Sequence, residues 1–400
     1  MASFNPKQAK LSHQLTFEGQ WPSAVAFLDN ERLAAANRDG QMYLWDLSQD
    51  AAEATEAEAK DKERTAPNVL PVRRLLGHTN GVTRLLTIDQ GKTLISSSLD
   101  HSIRLWDTTA PATGKIDCVL DIAQRRRLIK RDKSNKEEVL SAPGVEIETQ
   151  QSVHELQGHS DWVVTCDVSG DGSRLLSGDG QGVSILWDLK SRKETDRWSG
   201  HKMNGVVSVS LSPDGKKCFV SEHSEKWDDF DRPPAQAKIF ALDPQEMLVD
   251  LIRVKFPEMK ERSSSYGHSR IWIKWVGSGF VASDFSPDGK YLAVGQGGEI
   301  GDAVAYLIDA ETGEEIREFA KHKYGICDLR FTADGKHLLT SGRDTLLKIF
   351  QVADGKEVAS LGKSRGGQFQ DWFHAIAVSP DENRIAVADI AGLVQVWTLG

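Results

Sequence analysis

His, Ser and Asp together are the makings of a nucleophilic triad, in which an imidazole oriented by a carboxylate takes the proton of a hydroxyl. The chain offers that set more than once. His78, Ser96 and Asp100 fall in one segment, His159 and Ser177 in a second, and His322, Thr340 and Asp344 in a third. In each segment a large aromatic (Trp106, Trp187 or Phe350) follows the His by 28 positions, and a Gly (Gly91, Gly172 or Gly335) follows it by 13. A catalytic constellation is built once per active site, whereas a spacing that returns three times marks a repeat array, each copy burying its apolar face only against its neighbours. These residues must be placed on a scaffold before any chemistry is assigned to them.

The turns outline that scaffold. Ser/Thr-x-Asp-Gly occurs at 169–172, 212–215, 286–289 and 332–335, with looser forms at 28–31, 88–91 and 379–382, which makes seven. Asp-Gly supplies the positive φ that a tight hairpin needs, and flanking segments such as Val207-Ser208-Val209-Ser210-Leu211 alternate with period two. Each turn is therefore predicted to join two short strands. A third strand is predicted after each hairpin, at 41–45, 102–106, 183–187, 237–240, 303–308, 347–350 and 393–397, and a fourth, more polar strand after most of these.

Gly77-His78, Asp100 and Trp106-Asp107, together with Gly158-His159 and Trp187-Asp188, resemble the signature of the WD-repeat family, and the resemblance covers essentially the whole chain. It implies an all-β fold: a seven-bladed β-propeller of four-stranded antiparallel blades around a central channel. It also implies ring closure by an N-terminal strand. Residues 11–17 read as a strand with no blade of its own and the last repeat stops after its third strand, so 11–17 is expected to pair with 393–399. One domain over 1–400 is expected, with repeats at approximately 19–76, 77–156, 158–198, 200–252, 272–319, 322–361 and 373–400 plus 11–17, and insertions at 48–70, 109–151, 222–236 and 253–275.

For the recurring polar residues, the resemblance implies scaffold rather than catalysis. The Trp, Ser/Thr, His and Asp positions form a hydrogen-bonded chain that satisfies polar groups buried within a blade. The second repeat supplies His78, Ser96, Asp100 and Trp106, and the sixth His322, Thr340 and Asp344 with Phe350 in place of Trp. The third supplies His159, Ser177 and Trp187, with Gln181 at the Asp position. The first keeps only Asp39 and Trp45, the fourth has His201 without a clear partner set, and the fifth and seventh lack the pattern.

Composition narrows the function. With 49 Lys and Arg against 58 Asp and Glu, a net charge of −9, the chain lacks the basic field of a dedicated nucleic-acid binder, and no bulk nucleic-acid binding is expected. Cys118, Cys166, Cys218 and Cys327 show no paired metal or redox spacing and read as small thiols in a reducing compartment. Residues 1–10 contain no apolar signal region, and no run approaches the ~18 apolar residues of a membrane span. A cytoplasmic protein with no transmembrane segment is expected. No Gly-rich phosphate loop, nucleophile elbow or His-x-x-x-His pair occurs, so no catalytic residue, metal or cofactor is assigned. Asp167 and Asp284 share a place two residues before the turn, and Asp328 and Arg330 share a face of the sixth blade. Two equivalent carboxylates do not make a hard-cation site, so a hydrated polar channel is expected.

Roughly a hundred residues exceed what seven minimal repeats of this kind require. Insertions 48–70 and 109–151 fall between the third and fourth strands of the first two blades and leave from one face. The first is rich in Ala and Glu without an apolar stripe. The second carries a basic patch within 124–133, Arg125, Arg126, Arg127, Lys130 and Arg131, suited to salt-sensitive contact with an anionic partner. The remaining insertions emerge on the opposite face over blades four to seven, with Trp227, Asp228, Asp229, Phe230, Asp231, Tyr266, Arg270, Trp272 and Trp372 as candidate partner-binding residues. Aromatic and Arg side chains beside charges are the composition of interface hot spots. The expected function is a non-enzymatic scaffold that binds a protein or peptide there; the alternatives are a propeller enzyme acting in the channel and an adaptor working through 124–133.

Overall fold

Short apolar runs joined by Asp-Gly turns cannot bury both faces as isolated hairpins, so they stack. The computed structural model describes residues 4–16, 20–49, 69–118, 145–200, 204–223, 236–257, 279–298, 302–319, 321–362 and 372–400. Seven antiparallel blades result. From the channel outward, blade 1 is Pro22–Phe27, Arg32–Asn37, Met42–Asp46 and Arg73–Leu76; blade 2 is Val82–Ile88, Thr93–Ser98, Ser102–Asp107 and His154–Gln157. Blade 3 is Val163–Val168, Arg174–Asp179, Val183–Asp188 and Lys193–Ser199; blade 4 is Gly205–Leu211, Lys217–His223, Gln236–Leu242 and Gln245–Asp250. Blade 5 is Phe280–Phe285, Tyr291–Gln296, Ala305–Asp309 and Glu315–Glu318; blade 6 is Ile326–Phe331, His337–Gly342, Leu346–Gln351 and Glu357–Gly362. Blade 7 is Phe373–Val378, Arg384–Asp389, Leu393–Thr398 and, outermost, Lys10–Thr16.

Each inner strand packs on the one before and the one after, and Phe373–Val378 packs on Pro22–Phe27, which closes the ring. The core therefore lies between blades. Leu15, Val25, Leu33, Trp45, Val394 and Val396 join blades 7 and 1, and Leu176, Leu186, Val206, Val209 and Val220 join blades 3 and 4. The hairpin turns form as the Asp-Gly pairs predict: Gly172, Gly215, Gly289 and Gly335 have φ of 70°, 66°, 70° and 68°. Ser169 Oγ donates to Asp171 Oδ1 at 2.6 Å and accepts from the Arg174 amide at 3.0 Å, a pattern repeated from Ser212, Ser286, Thr332 and Ser379.

The N-terminal strand pairs with the last blade in antiparallel register, from Lys10 opposite Thr398 to Thr16 opposite Leu393. Two departures from a minimal propeller stand out. Strands Gly114–Cys118 and Val145–Gln151, within the second insertion, form a hairpin that docks on blade 1 rather than on blade 2; Val145–Gln151 runs parallel to Arg73–Leu76 and widens that blade to six strands. Arg73 fixes the join through Glu148 Oε2 and Gln150 Oε1. In blade 5 the third strand starts at Ala305, because Asp302–Ala303 pairs instead with His322–Lys323 ahead of blade 6.

Candidate functional site

The three triad-like sets are sealed inside their blades. In blade 2 the Trp106 indole donates to Ser96 Oγ at 2.9 Å, Ser96 Oγ lies 2.7 Å from His78 Nε2, and His78 Nδ1 lies 2.8 Å from Asp100 Oδ2. A carboxylate accepts only, so Nδ1 carries the proton and Nε2 accepts from the hydroxyl. Blade 6 repeats this with Thr340 and Asp344 at 2.7 and 2.9 Å from His322, and Phe350 occupies the indole's place. The His side chains are at most 1% exposed. A hydroxyl walled in this way meets no substrate.

Blade 3 differs from the spacing-based expectation. The carboxylate on His159 belongs to Asp179, 2.8 Å away, and not to the Gln181 position. Asp179 ends its strand, and its other oxygen accepts the amides of Gln181 and Val183 at 3.0 and 2.9 Å, so one side chain ties both the turn and the imidazole. In Asp100, Asp179 and Asp344 burial pushes the carboxyl pKa up, but the His bond and the turn donors outweigh it and hold all three below the ordinary value.

Charge also lines the channel. Arg84 of blade 2 reaches across to Asp328 of blade 6, Nη1 to Oδ1 at 2.9 Å, between inner strands that are not neighbours in the ring. Asp328 Oδ2 accepts the Ile376 amide of blade 7, Asp167 that of Leu211 in blade 4, and Asp284 that of Phe331 in blade 6, at 2.9, 2.8 and 2.8 Å. Hydroxyls bridge other blade pairs: Thr83 Oγ1 donates to the Val163 carbonyl at 2.7 Å, and Ser208 Oγ meets Ser283 Oγ at 2.6 Å. Three carboxylates thus approach Arg330, one more than the two equivalent positions suggest, each already committed to a neighbouring blade's amide. Burial raises Asp167, and raises Asp284 to about 7, despite the opposing charge of Arg330. Among the described residues, no group of three or more His, Cys, Asp or Glu is arranged to hold a metal ion.

At the channel mouth, one position recurs on the face that carries the turns between second and third strands. The residue directly before the inner strand is Gly in blades 2, 5 and 6 and Trp in blades 1, 3 and 7, and in blade 4 the strand itself opens on Gly205. At Gly81, Gly205 and Gly325 a Cβ would lie 2.8, 2.7 and 2.5 Å from a carbonyl oxygen of the preceding blade. Where the ring leaves room, Trp21, Trp162 and Trp372 project from equivalent backbone, their carbonyls accepting the amides of Arg38, Gly180 and Ile390 at 3.3, 3.0 and 3.0 Å. Trp21 is 39% exposed and Trp162 52%; Trp372 is half-buried, with the Arg343 guanidinium 4.2 Å over its ring.

A family profile described as "WD domain, G-beta repeat" matches residues 70–107, 150–188 and 313–351, the stretches that hold the complete His chains. The sequence is 21% identical over 351 residues to Autophagy-related protein 16 of Arabidopsis thaliana, covering 84% of this chain and 51% of that protein. It is 20% identical over 436 residues to WD repeat-containing protein 1 of Xenopus tropicalis, covering 100% and 64%, and 33% identical over 115 residues to a WD repeat-containing protein 55 homolog of Drosophila erecta, covering 29% and 22%. The chain is a WD-repeat β-propeller. It spans about half to two thirds of the length of the first two relatives.

Each matched stretch of this WD-repeat propeller begins with the outer strand of the preceding blade: Arg73–Leu76, His154–Gln157 and Glu315–Glu318. Sequence repeat and blade are one strand out of step, and the N-terminal strand in blade 7 follows from that offset. Of the candidate partner-binding residues, Trp372 lies at the mouth, whereas Trp227, Asp228, Asp229, Phe230, Asp231, Tyr266, Arg270 and Trp272 lie outside the described residues, as do Arg125, Arg126, Arg127, Lys130 and Arg131. Sequence reasoning passed over Trp21 and Trp162. Their signal was positional, each standing directly before a predicted inner strand as Trp372 does. Among the described residues no helix is long and apolar enough to cross a membrane.

Proposed function

We propose that this WD-repeat propeller is a non-enzymatic platform that binds a protein or peptide partner on the face bearing the channel mouth. The observation that carries this reading is the set of three Trp at one recurring position. Buried Trp in the same chain, such as Trp45 and Trp106, are fully covered, whereas Trp21 and Trp162 are exposed and contribute little to the core. Large exposed aromatics on a rigid frame are what interfaces use as anchors, because they bury much area at low entropic cost. The channel carboxylates support a frame rather than chemistry, since each holds a neighbouring blade and is opposed by Arg84 or Arg330.

Affinity purification from the native cell tests it. The full chain with Trp21, Trp162 and Trp372 all changed to Ala is expected to lose partners that the wild type retains, while melting at nearly the same temperature. An identical set of partners would end the reading. A second reading has one observation behind it: the hairpin of Gly114–Cys118 and Val145–Gln151 fastens both ends of the 119–144 segment to the outer edge of blade 1. An adaptor working through Arg125, Arg126 and Arg127 would bind an anionic partner with steep salt dependence, lost on changing these three to Ala.

A further inference from the structure

Two Asn-Gly pairs occur in the chain, Asn80-Gly81 and Asn204-Gly205, and they lead into the inner strands of blades 2 and 4. Asn before Gly is chemically labile, because a residue without a side chain leaves its amide nitrogen open to attack the preceding carboxamide. The two pairs have contrasting surroundings. Asn80 is exposed, whereas Asn204 is 1% exposed. The Asn80 side chain folds back onto the backbone that follows it, and its Oδ1 accepts the Gly81 amide at 2.8 Å. That is the only hydrogen bond the Gly81 amide donates among the described residues. The other end of the carboxamide is held weakly, since Asn80 Nδ2 reaches the Leu99 carbonyl only at 3.4 Å. The attacking nitrogen and the carbon it would attack are thus kept together where water has access.

We propose that Asn80 is a site of self-modification, deamidating in the folded protein to aspartate and isoaspartate, independently of what the propeller binds. The Gly81 nitrogen gives its proton to hydroxide and bonds to Asn80 Cγ; the Cγ–Nδ2 bond breaks, and ammonia leaves with a proton from water. Water then opens the cyclic imide. Cleavage at Cγ restores the peptide link with an aspartate side chain, and cleavage at the main-chain carbonyl leaves the chain running through Cγ as isoaspartate. The second product has no room in this loop. The Asn80 carbonyl accepts the Ser98 hydroxyl at 3.0 Å, and a Cβ on Gly40 of blade 1 would lie 2.6 Å from it. A Cβ on Gly81 would lie 2.8 Å from the Arg38 carbonyl. Isoaspartate adds a methylene to the main chain at this point, so the junction of blades 1 and 2 must shift, whereas aspartate adds only a surface charge.

The test ages the full chain at body temperature in mildly alkaline buffer made with heavy-oxygen water, beside a sample unfolded in urea. Tryptic peptides holding each pair are followed by mass spectrometry with electron-transfer fragmentation, which separates isoaspartate from aspartate. In the folded chain Asn80 should convert and take up heavy oxygen, while Asn204, which reacts only when its surroundings open locally, should convert about tenfold more slowly or less. In urea the two rates should come together. An Asn80 that keeps its amide in the folded chain overturns the proposal, and so do equal folded-state rates at the two pairs, since the surroundings would then decide nothing. The isoaspartyl fraction, separated by ion exchange, should melt below unaged protein, and freshly purified Asn80→Asp should melt with wild type. A variant melting as low as the isoaspartyl fraction would overturn the account of the added methylene.

Discussion

Carboxylates of the blades and two of the three in the channel lie inside the same ring, yet their protons are governed in opposite directions. Asp100, Asp179 and Asp344 each receive an imidazole N–H and one or more backbone amides, which outweigh burial and hold the carboxyl below its usual range. Asp167 and Asp284 each receive the amide of a neighbouring blade and share Arg330 with Asp328, and burial prevails. Asp328 is as deep as these two, yet Arg84, Arg330 and the Ile376 amide outweigh its burial and hold it below its usual range, so charged partners can override depth. The blade carboxylates are compensated within their own blades, and Asp167 and Asp284 are not.

The severest break of that contrast removes the closure on which both regions depend. Deleting residues 1–18 strips Lys10–Thr16 from blade 7, takes fully buried Leu15 from the core and uncovers the edge of Leu393–Thr398. The melting temperature should fall by about 10 °C or more. An unchanged melt, followed by circular dichroism, would mean that this strand does not close the ring. Next in size is Ser96→Ala, which removes the oxygen joining Trp106 to His78 and leaves two buried groups short of a partner. About 1–3 kcal/mol for each unsatisfied group is expected in urea titration. Thr340→Val should cost less, because blade 6 has Phe350 and no indole to strand. Equal costs would show that the hydrogen-bonded chain is not what the Ser supports.

The sequence read as spacing reveals the blades well, because period-two strands, Asp-Gly turns and a 28-residue interval are local signals that tertiary packing does not override. It fails where one position can be filled from two places. Asp179 reaches His159 from the strand end, so a rule fixed on Asp100 and Asp344 pointed to Gln181 instead. The second insertion was legible as an insertion, but nothing local to 109–151 says that its hairpin adds to blade 1, since that pairing depends on the edge presented by Arg73–Leu76. Asp328 was placed with Arg330 on one face of blade 6 but not counted with Asp167 and Asp284, because it stands two residues earlier in its strand than they do in theirs. Trp21 and Trp162 were visible as letters and not as a set, because their equivalence lies in the backbone bonds of the mouth.

A smaller effect separates the two classes of carboxylate by pH. Asp284 titrates near 7 in the folded chain and near 4 when unfolded, so between those values the folded state holds a proton that the unfolded state has shed. Stability from this group therefore falls as pH rises from about 4 to 7, and the full penalty applies above 7. Asp284→Asn keeps an oxygen for the Phe331 amide and cannot ionise, so the variant should melt above wild type at pH 8 and together with it near pH 4. The blade carboxylates have the opposite sign: their contribution is present above about 4 and lost as pH falls below it, so the acid limb should survive in the variant. A constant difference between variant and wild type at both pH values would remove the distinction.

The smallest expected effect is also the most diagnostic for the mouth. Trp162 is half exposed and stands in the same frame as Trp21 and Trp372, whereas Trp106 is fully buried and bonded to Ser96. Trp106→Ala should cost about 3–5 kcal/mol through the cavity it leaves. Trp162→Ala should stay within about 0.5 kcal/mol of wild type in urea titration, as surface substitutions away from special features do. A loss for Trp162→Ala comparable with that for Trp106→Ala would make the mouth aromatics part of the fold, and their exposure would then be incidental to packing. A near-zero cost leaves a large apolar side chain at the mouth that the fold does not require, which is the condition a docking surface must meet.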